Sequence, residues 1–180
     1  ISSSELRAKD SNLKLGLIGN STLVAKYFRE SKFVNGAEVI AVSSSSTSAQ
    51  IKADNSLLLT NSYTDLLSSI DAVYIASHPT KHYNHVKQAL LAGKHVLCES
   101  PIALSEAECN ELYQLANSKN LILMDAIKTA YSTAYNRLLL LLNSGKIGQV
   151  LSVESTCTSL KNIKIDTTKK ATHYWNSICA

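Results

Sequence analysis

Short, continuously apolar runs alternate along this chain with longer amphipathic stretches, the pattern of buried strands separated by helices. Residues 13–18 (LKLGLI), 37–42 (AEVIAV), 72–76 (AVYIA), 95–98 (HVLC) and 121–124 (LILM) read as strands, with a further short one at 56–59. Unbroken apolarity, rather than strict alternation, predicts strands covered on both faces of a parallel sheet. Between 76 and 95, Val86, Ala89 and Leu90 give a helix one apolar face. Pro79 opens that helix, with Thr80 as its candidate N-cap, and Gly93 ends it. A short helix is predicted at 63–69. Ser105-Glu106-Ala107-Glu108 has capping-box spacing and starts another helix, whose Leu112, Leu115 and Ala116 face the sheet. Strands and helices in this order predict an α/β fold with a doubly wound, mostly parallel sheet.

After residue 126 the pattern changes. Tyr131, Tyr135, Leu138, Leu139 and Leu142 form a helical stripe, and Gly145-Lys146-Ile147-Gly148 turns into a stretch, 149–158, that alternates like a strand. Two domains are therefore expected: a nucleotide-type domain over 1–126, and the incomplete start of a second α/β domain over 127–180. Residues 1–11 are polar and Ser-rich and read as a frayed lead-in.

Open α/β sheets hold ligands at the carboxyl ends of their strands. After the first strand comes Gly19-Asn20-Ser21-Thr22-Leu23-Val24, in the place of the dinucleotide fingerprint G-x-G-x-x-G/A. Only the first glycine is present. Ser21 puts a side chain where phosphates would lie, and Val24 adds bulk where helix and strand would pack closely. The following helix N-terminus still offers free N–H groups, and the Ser21 and Thr22 hydroxyls add donors. After the second strand, where an acidic residue would bind the adenine ribose, stands Ser43-Ser44-Ser45-Ser46-Thr47-Ser48. Hydroxyls there, with Lys52 nearby, tilt a dinucleotide reading toward NADP over NAD; the alternative is a solvated Ser loop. Ser77 and His78 follow the strand 72–76, and Glu99-Ser100-Pro101 follows 95–98.

The segment 71–101, DAVYIASHPTKHYNHVKQALLAGKHVLCESP, resembles the most diagnostic part of the Gfo/Idh/MocA oxidoreductases. Ala89-Leu90, Ala92-Gly93-Lys94-His95-Val96, Glu99 and Pro101 match the family pattern, and His82 falls at the family's histidine. The likeness extends over about residues 13–160. It implies an NAD(P)-binding Rossmann domain, a hydride transfer on a sugar, cyclitol or related polyol, and homo-oligomerisation through the second domain. It also implies that Gly19, Asn20, Ser21, Thr22, Ser43, Ser44, Ser77, His78 and Glu99 border the cofactor. In the family the middle residue of "EKP" is the lysine that exchanges a proton with the substrate hydroxyl. Here that residue is Ser100, and Pro79 replaces the family's Asn.

A serine hydroxyl needs a neighbouring base to act in proton transfer, whereas a desolvated lysine does not. Ser100 is thus either a replacement proton carrier or a loop hydroxyl bonding the turn. Lys128, after the sixth strand, is the candidate to stand in for the lysine, and His82 is a second. Asp125-Ala126 stands where the family has Glu-Ala. His78, His82 and His85 cluster in sequence, but no Cys or carboxylate joins them, so no metal is expected. The four departures at Ser21, Val24, Pro79 and Ser100 leave two readings: an impaired or inactive oxidoreductase, or a non-catalytic nucleotide- or sugar-binding or assembly module on the same scaffold.

Composition narrows the partners. The net charge of +4 comes from 18 Lys and Arg against 14 Asp and Glu, scattered along the chain, so nucleic acid is not an expected partner. The leucine run 138–142 is too short for a bilayer span, so no membrane association is expected. Four cysteines without C-x-x-C spacing suit reduced thiols and a cytoplasmic location. The absence of Met at Ile1 points to a fragment or processed chain.

Overall fold

The computed structural model describes residues 12–19, 21–43, 49–52, 54–154 and 156. They form two compact units divided after Ala126. In the first, six parallel strands make one sheet: β1 (Leu13–Gly19), β2 (Ala37–Ser43), β3 (Leu58–Leu59), β4 (Ala72–Ala76), β5 (His95–Cys98) and β6 (Leu123–Asp125). Their spatial order is β3-β2-β1-β4-β5-β6. The chain winds outward from β1 in one direction and then from β4 in the other, so β1 and β4 flank the topological switch point of a doubly wound sheet.

Helices cover both faces. Helices α1 (Ser21–Ser31) and α2 (Ala49–Lys52) lie over a cluster of Leu17, Val24, Phe28, Val42, Ile51 and Tyr74. Helices α3 (Tyr63–Ser69), α4 (Pro79–Leu91) and α5 (Glu106–Ser118) cover the other face through Leu66, Ile70, Val86, Leu90 and Leu112, packed on Ile18, Ile75 and Val96. The period-2 geometry of β1 sends Leu17 to one face and its neighbour Ile18 to the other, which is why both are apolar. Val24 takes up its bulk in the core and is fully buried.

Several local details differ from the sequence reading. Helix α4 is capped by His78, whose side chain accepts the Thr80 N–H, rather than by Thr80. Pro79 occupies the first helical position, where its missing N–H leaves nothing unsatisfied. Ser105 does cap α5 by accepting the Glu108 N–H, but Glu108 returns its bond to the Leu104 N–H at 3.2 Å. Strand β6 starts two residues later than expected, at Leu123.

In the second unit, Tyr131 ends a 3-10 turn, Lys128–Tyr131, and so lies outside the helix proper. Helix α6 (Thr133–Asn143) follows, with Ser132 accepting the Tyr135 N–H as N-cap. The strand expected at 149–158 is not formed over 149–154: those residues pair with no other strand among the described residues. Alternation alone does not make a strand; a ladder partner must be present to take its N–H and C=O groups. The rest of that stretch, apart from residue 156, lies outside the described residues.

Candidate cofactor and proton-transfer site

Parallel strands put their carboxyl ends on one rim, and the register specifies which loops meet there. Gly19 pairs with Ala76, Ile75 with Cys98, and Cys98 with Asp125. The Gly19 turn, the Ser77-His78 turn, the Glu99-Ser100-Pro101 loop and Asp125 therefore share one edge of the sheet.

Gly19 is required by that geometry. Its φ is +130°, and an added Cβ would lie 2.1 Å from the Ala76 carbonyl carbon and 2.3 Å from the Ser77 nitrogen, both backbone atoms. The first turn of α1 begins two residues later at Ser21, so the helix N-terminus follows this close approach. Thr22 is exposed on that turn. Asn20 and Ser44 lie outside the described residues, whereas Ser43 is buried at the end of β2.

The 99–101 loop is fixed from three sides. Ser100 donates its hydroxyl to a carboxylate oxygen of Asp125, and the Ser100–Pro101 peptide is cis. Glu99 accepts a hydrogen bond from the Tyr74 hydroxyl at 2.6 Å, and the Tyr74 ring stacks on Tyr27 with centroids 4.2 Å apart. Burial, and then Glu99, raise the Tyr74 pKa, so it remains a phenol and a donor. His82, almost wholly buried, places Nδ1 2.7 Å from the Pro101 carbonyl oxygen and Nε2 2.8 Å from the Ser77 carbonyl oxygen. It thus ties the 99–101 loop to the end of β4 and does not face the rim as a free base.

The remaining histidines have other partners. His78 contacts the Thr80 hydroxyl through Nδ1, and His85 Nδ1 lies 2.9 Å from Ser77 Oγ. The His85 pKa is lowered, chiefly by burial and then by Lys81 and His82. Cys98, at the end of β5, is buried with its pKa raised by burial and then by Asp125 and Glu99, so it stays a thiol. Lys128 is exposed and begins the 3-10 turn of the second unit. A groove of about 540 Å³ lined by Thr64, Leu67, Gln88, Leu91 and Lys94 lies near the opposite, amino-terminal edge, where Lys94 Nζ donates to the Ile70 carbonyl.

Several partnerships were not read from sequence, among them Asp125 with Ser100, Tyr74 with Glu99, His85 with Ser77, and His82 with the Pro101 and Ser77 carbonyls. The single tyrosine in the buried run AVYIA was a signal, because a buried hydroxyl requires an acceptor.

A six-stranded parallel sheet of this order, with a strained glycine turn at its switch point, defines a dinucleotide-type Rossmann domain. Residues 13–126 match the Gfo/Idh/MocA profile, described as an oxidoreductase family with an NAD-binding Rossmann fold, and the chain belongs to that family. An uncharacterized oxidoreductase of Synechocystis sp. is 31% identical over 163 residues, covering 88% of this chain and 41% of the relative. D-xylose 1-dehydrogenase (NADP(+)) of Hypocrea jecorina is 33% identical, covering 63% of this chain and 31% of that protein. The crystal structure of scyllo-inositol dehydrogenase from Lactobacillus casei with bound NAD(H) and scyllo-inositol superposes with a TM-score of 0.68 at 25% identity, over 77% of this chain and 43% of that one. The chain spans less than half the length of each of these proteins.

Proposed function

We propose that residues 13–126 bind a nicotinamide dinucleotide along the carboxyl rim of the sheet, as the cofactor domain of an oxidoreductase acting on a sugar, cyclitol or related polyol. We propose further that proton transfer is disarmed in this chain. The observation that carries the reading is the Gly19 turn, pressed against Ala76 and Ser77 on the same rim as the 99–101 loop. The fit to the cofactor rests on that approach: a glycine without room for a Cβ, followed at once by the start of α1, is the arrangement that admits a pyrophosphate. Gly19, Thr22 and the first amides of α1 would hold the phosphates. Ser77, His78 and Glu99 would border the nicotinamide half.

When bound, the nicotinamide supplies the hydride acceptor or donor. The chain's own contribution is to hold the rim, and here the proton-handling position differs from the family pattern. Ser100 has its proton committed to Asp125, and a serine is a far weaker acid than the ammonium it replaces. Lys128, the remaining candidate for that role, begins the second unit, and the disarmed reading gives it no part in proton transfer. The absence of a carboxylate in the Ser43 stretch, with Lys52 exposed on α2, favours NADP over NAD. The complete protein is read as a cytoplasmic homo-oligomer whose substrates are small molecules.

Fluorescence titration of the chain with NADPH and NADH tests the reading, alongside turnover with myo-inositol, D-xylose and D-glucose. Weak binding without turnover is expected. No binding at millimolar cofactor would overturn the cofactor assignment, and NADPH consumption dependent on Lys128 would overturn the disarmed site. The Ser100–Asp125 bond specifically favours a second reading, a non-catalytic nucleotide- or sugar-binding or assembly module on the same scaffold.

A further inference from the structure

Both histidines of the i, i+3 pair on α4 converge on one residue at the rim. His82 Nε2 meets the Ser77 carbonyl oxygen at 2.8 Å, and His85 Nδ1 meets the Ser77 hydroxyl at 2.9 Å. Ser77 is also the residue whose backbone nitrogen lies against Gly19, the turn assigned to the cofactor, and it is half-buried. His85 is itself held in place: the Tyr63 ring of α3 lies 5.0 Å away at 49°, and the Tyr63 hydroxyl donates to the His85 carbonyl at 2.8 Å.

We propose that His85 is a positioning residue that fixes the polarity of the Ser77 hydroxyl, making it a hydrogen-bond acceptor toward the ligand. A neutral imidazole whose Nδ1 carries no proton accepts the single Ser77 proton. Ser77 Oγ then has only lone pairs to offer. A group at this point of the rim must therefore donate, as a ribose hydroxyl or a carboxamide NH₂ does and a fully ionised phosphate oxygen does not. This rests on the cofactor reading and deepens it: Ser77 selects the ribose–nicotinamide half and His85 sets the selection.

Protonation reverses the arrangement. His85 with two N–H groups donates to Ser77 Oγ, and the Ser77 proton swings out to oppose the ligand's donor. The groups facing His85 are Lys81 and His82 on α4, Tyr63 on α3 and Ser77 after β4. Burial first, and then Lys81 and His82, act to keep the ring neutral.

The experiment uses the full 180-residue chain and NADH as the probe. First, ¹⁵N spectra of the histidine rings without ligand should show His85 as the Nε2–H tautomer, with Nδ1 unprotonated, at pH 8. The Nδ1–H tautomer would overturn the proposal. Second, NADH affinity is compared at pH 8 and at a pH below the His85 midpoint read from those spectra on lowering the pH, in the unchanged chain and in Ser77→Ala, Ser77→Thr and His85→Phe, with circular dichroism confirming each fold. Loss of one hydrogen bond predicts about fivefold weaker binding at pH 8 for Ser77→Ala, with Ser77→Thr near the unchanged chain; His85→Phe, which frees the hydroxyl to rotate, should show a smaller loss that does not change with pH.

The added charge of a protonated His85 acts on the dinucleotide in Ser77→Ala as well, so the difference between those two pH profiles isolates the hydroxyl. The fivefold gap should close below the His85 midpoint. A gap equally wide at both pH values would overturn the inference while leaving the cofactor reading intact. No binding of NADH or NADPH at either pH would overturn both.

Discussion

Gly19→Ala places a methyl group against the backbone of the neighbouring strand. The new carbon would sit 2.1 Å from the Ala76 carbonyl carbon and 2.3 Å from the Ala76 oxygen and the Ser77 nitrogen, whereas ordinary contact begins at 3.4 Å. The overlap exceeds about 1 Å, and no side-chain rotation relieves it, because every atom met is main chain. Relief requires β1 and β4 to part at the switch point, with loss of pairing at Gly19 and Ala76. The φ of +130° adds about 1–2 kcal/mol for any L side chain. With overpacking of about 1–3 kcal/mol, the substitution should cost about 3 kcal/mol. That is a fall of about 1.5 M in the urea midpoint at a slope of about 2 kcal/mol/M.

The matched control is Gly93→Ala, at φ +74° with no atom within 4 Å of the added carbon, which should cost only about 1 kcal/mol of backbone strain. Urea melts of both variants, followed by far-ultraviolet circular dichroism, give the difference directly. Gly19→Ala no less stable than Gly93→Ala would refute the close approach and the phosphate turn built on it.

Tyr74→Phe removes the charge-assisted bond to Glu99 while keeping the stack on Tyr27; a loss of about 2 kcal/mol in the same urea assay is expected. His85 has a lowered pKa in the folded chain, so as pH falls below 6.5 the unfolded chain takes up its proton first. Stability should therefore decline from about pH 6.5 downward. A plot of thermal midpoint against pH should show that decline reduced in His85→Phe, and identical plots would contradict it. Ser21→Gly restores the second glycine of the fingerprint and should tighten NADH binding about tenfold by calorimetry, equivalent to about 1.4 kcal/mol.

The scaffold was legible because each strand carries its own evidence. Continuous apolar runs such as AVYIA require cover on both faces, and the structure covers them with α1 on one side and α4 on the other. The placement of Gly19 and Glu99-Ser100-Pro101 on one rim followed from their positions after parallel strands. What could not be read were pairings between side chains far apart in sequence. Ser100 and Asp125 are 25 residues apart, as are Tyr74 and Glu99, and only the order β4-β5-β6 brings them together. The His82 and His85 spacing was legible as one helix face, but whether that face met a metal, a ligand or the chain itself depended on where β4 ended. The strand expected over 149–158 failed for the converse reason: alternation is local, whereas a ladder needs a second strand.

A titration of the isotopically labelled chain with NADH, followed by backbone amide NMR, tests most directly whether the rim is the binding site. Shifts confined to residues 19–24, 76–78 and 99–101 are the predicted result. Shifts centred instead on Leu67, Gln88 and Lys94, in the groove near the opposite edge, or none at saturating cofactor, would contradict it.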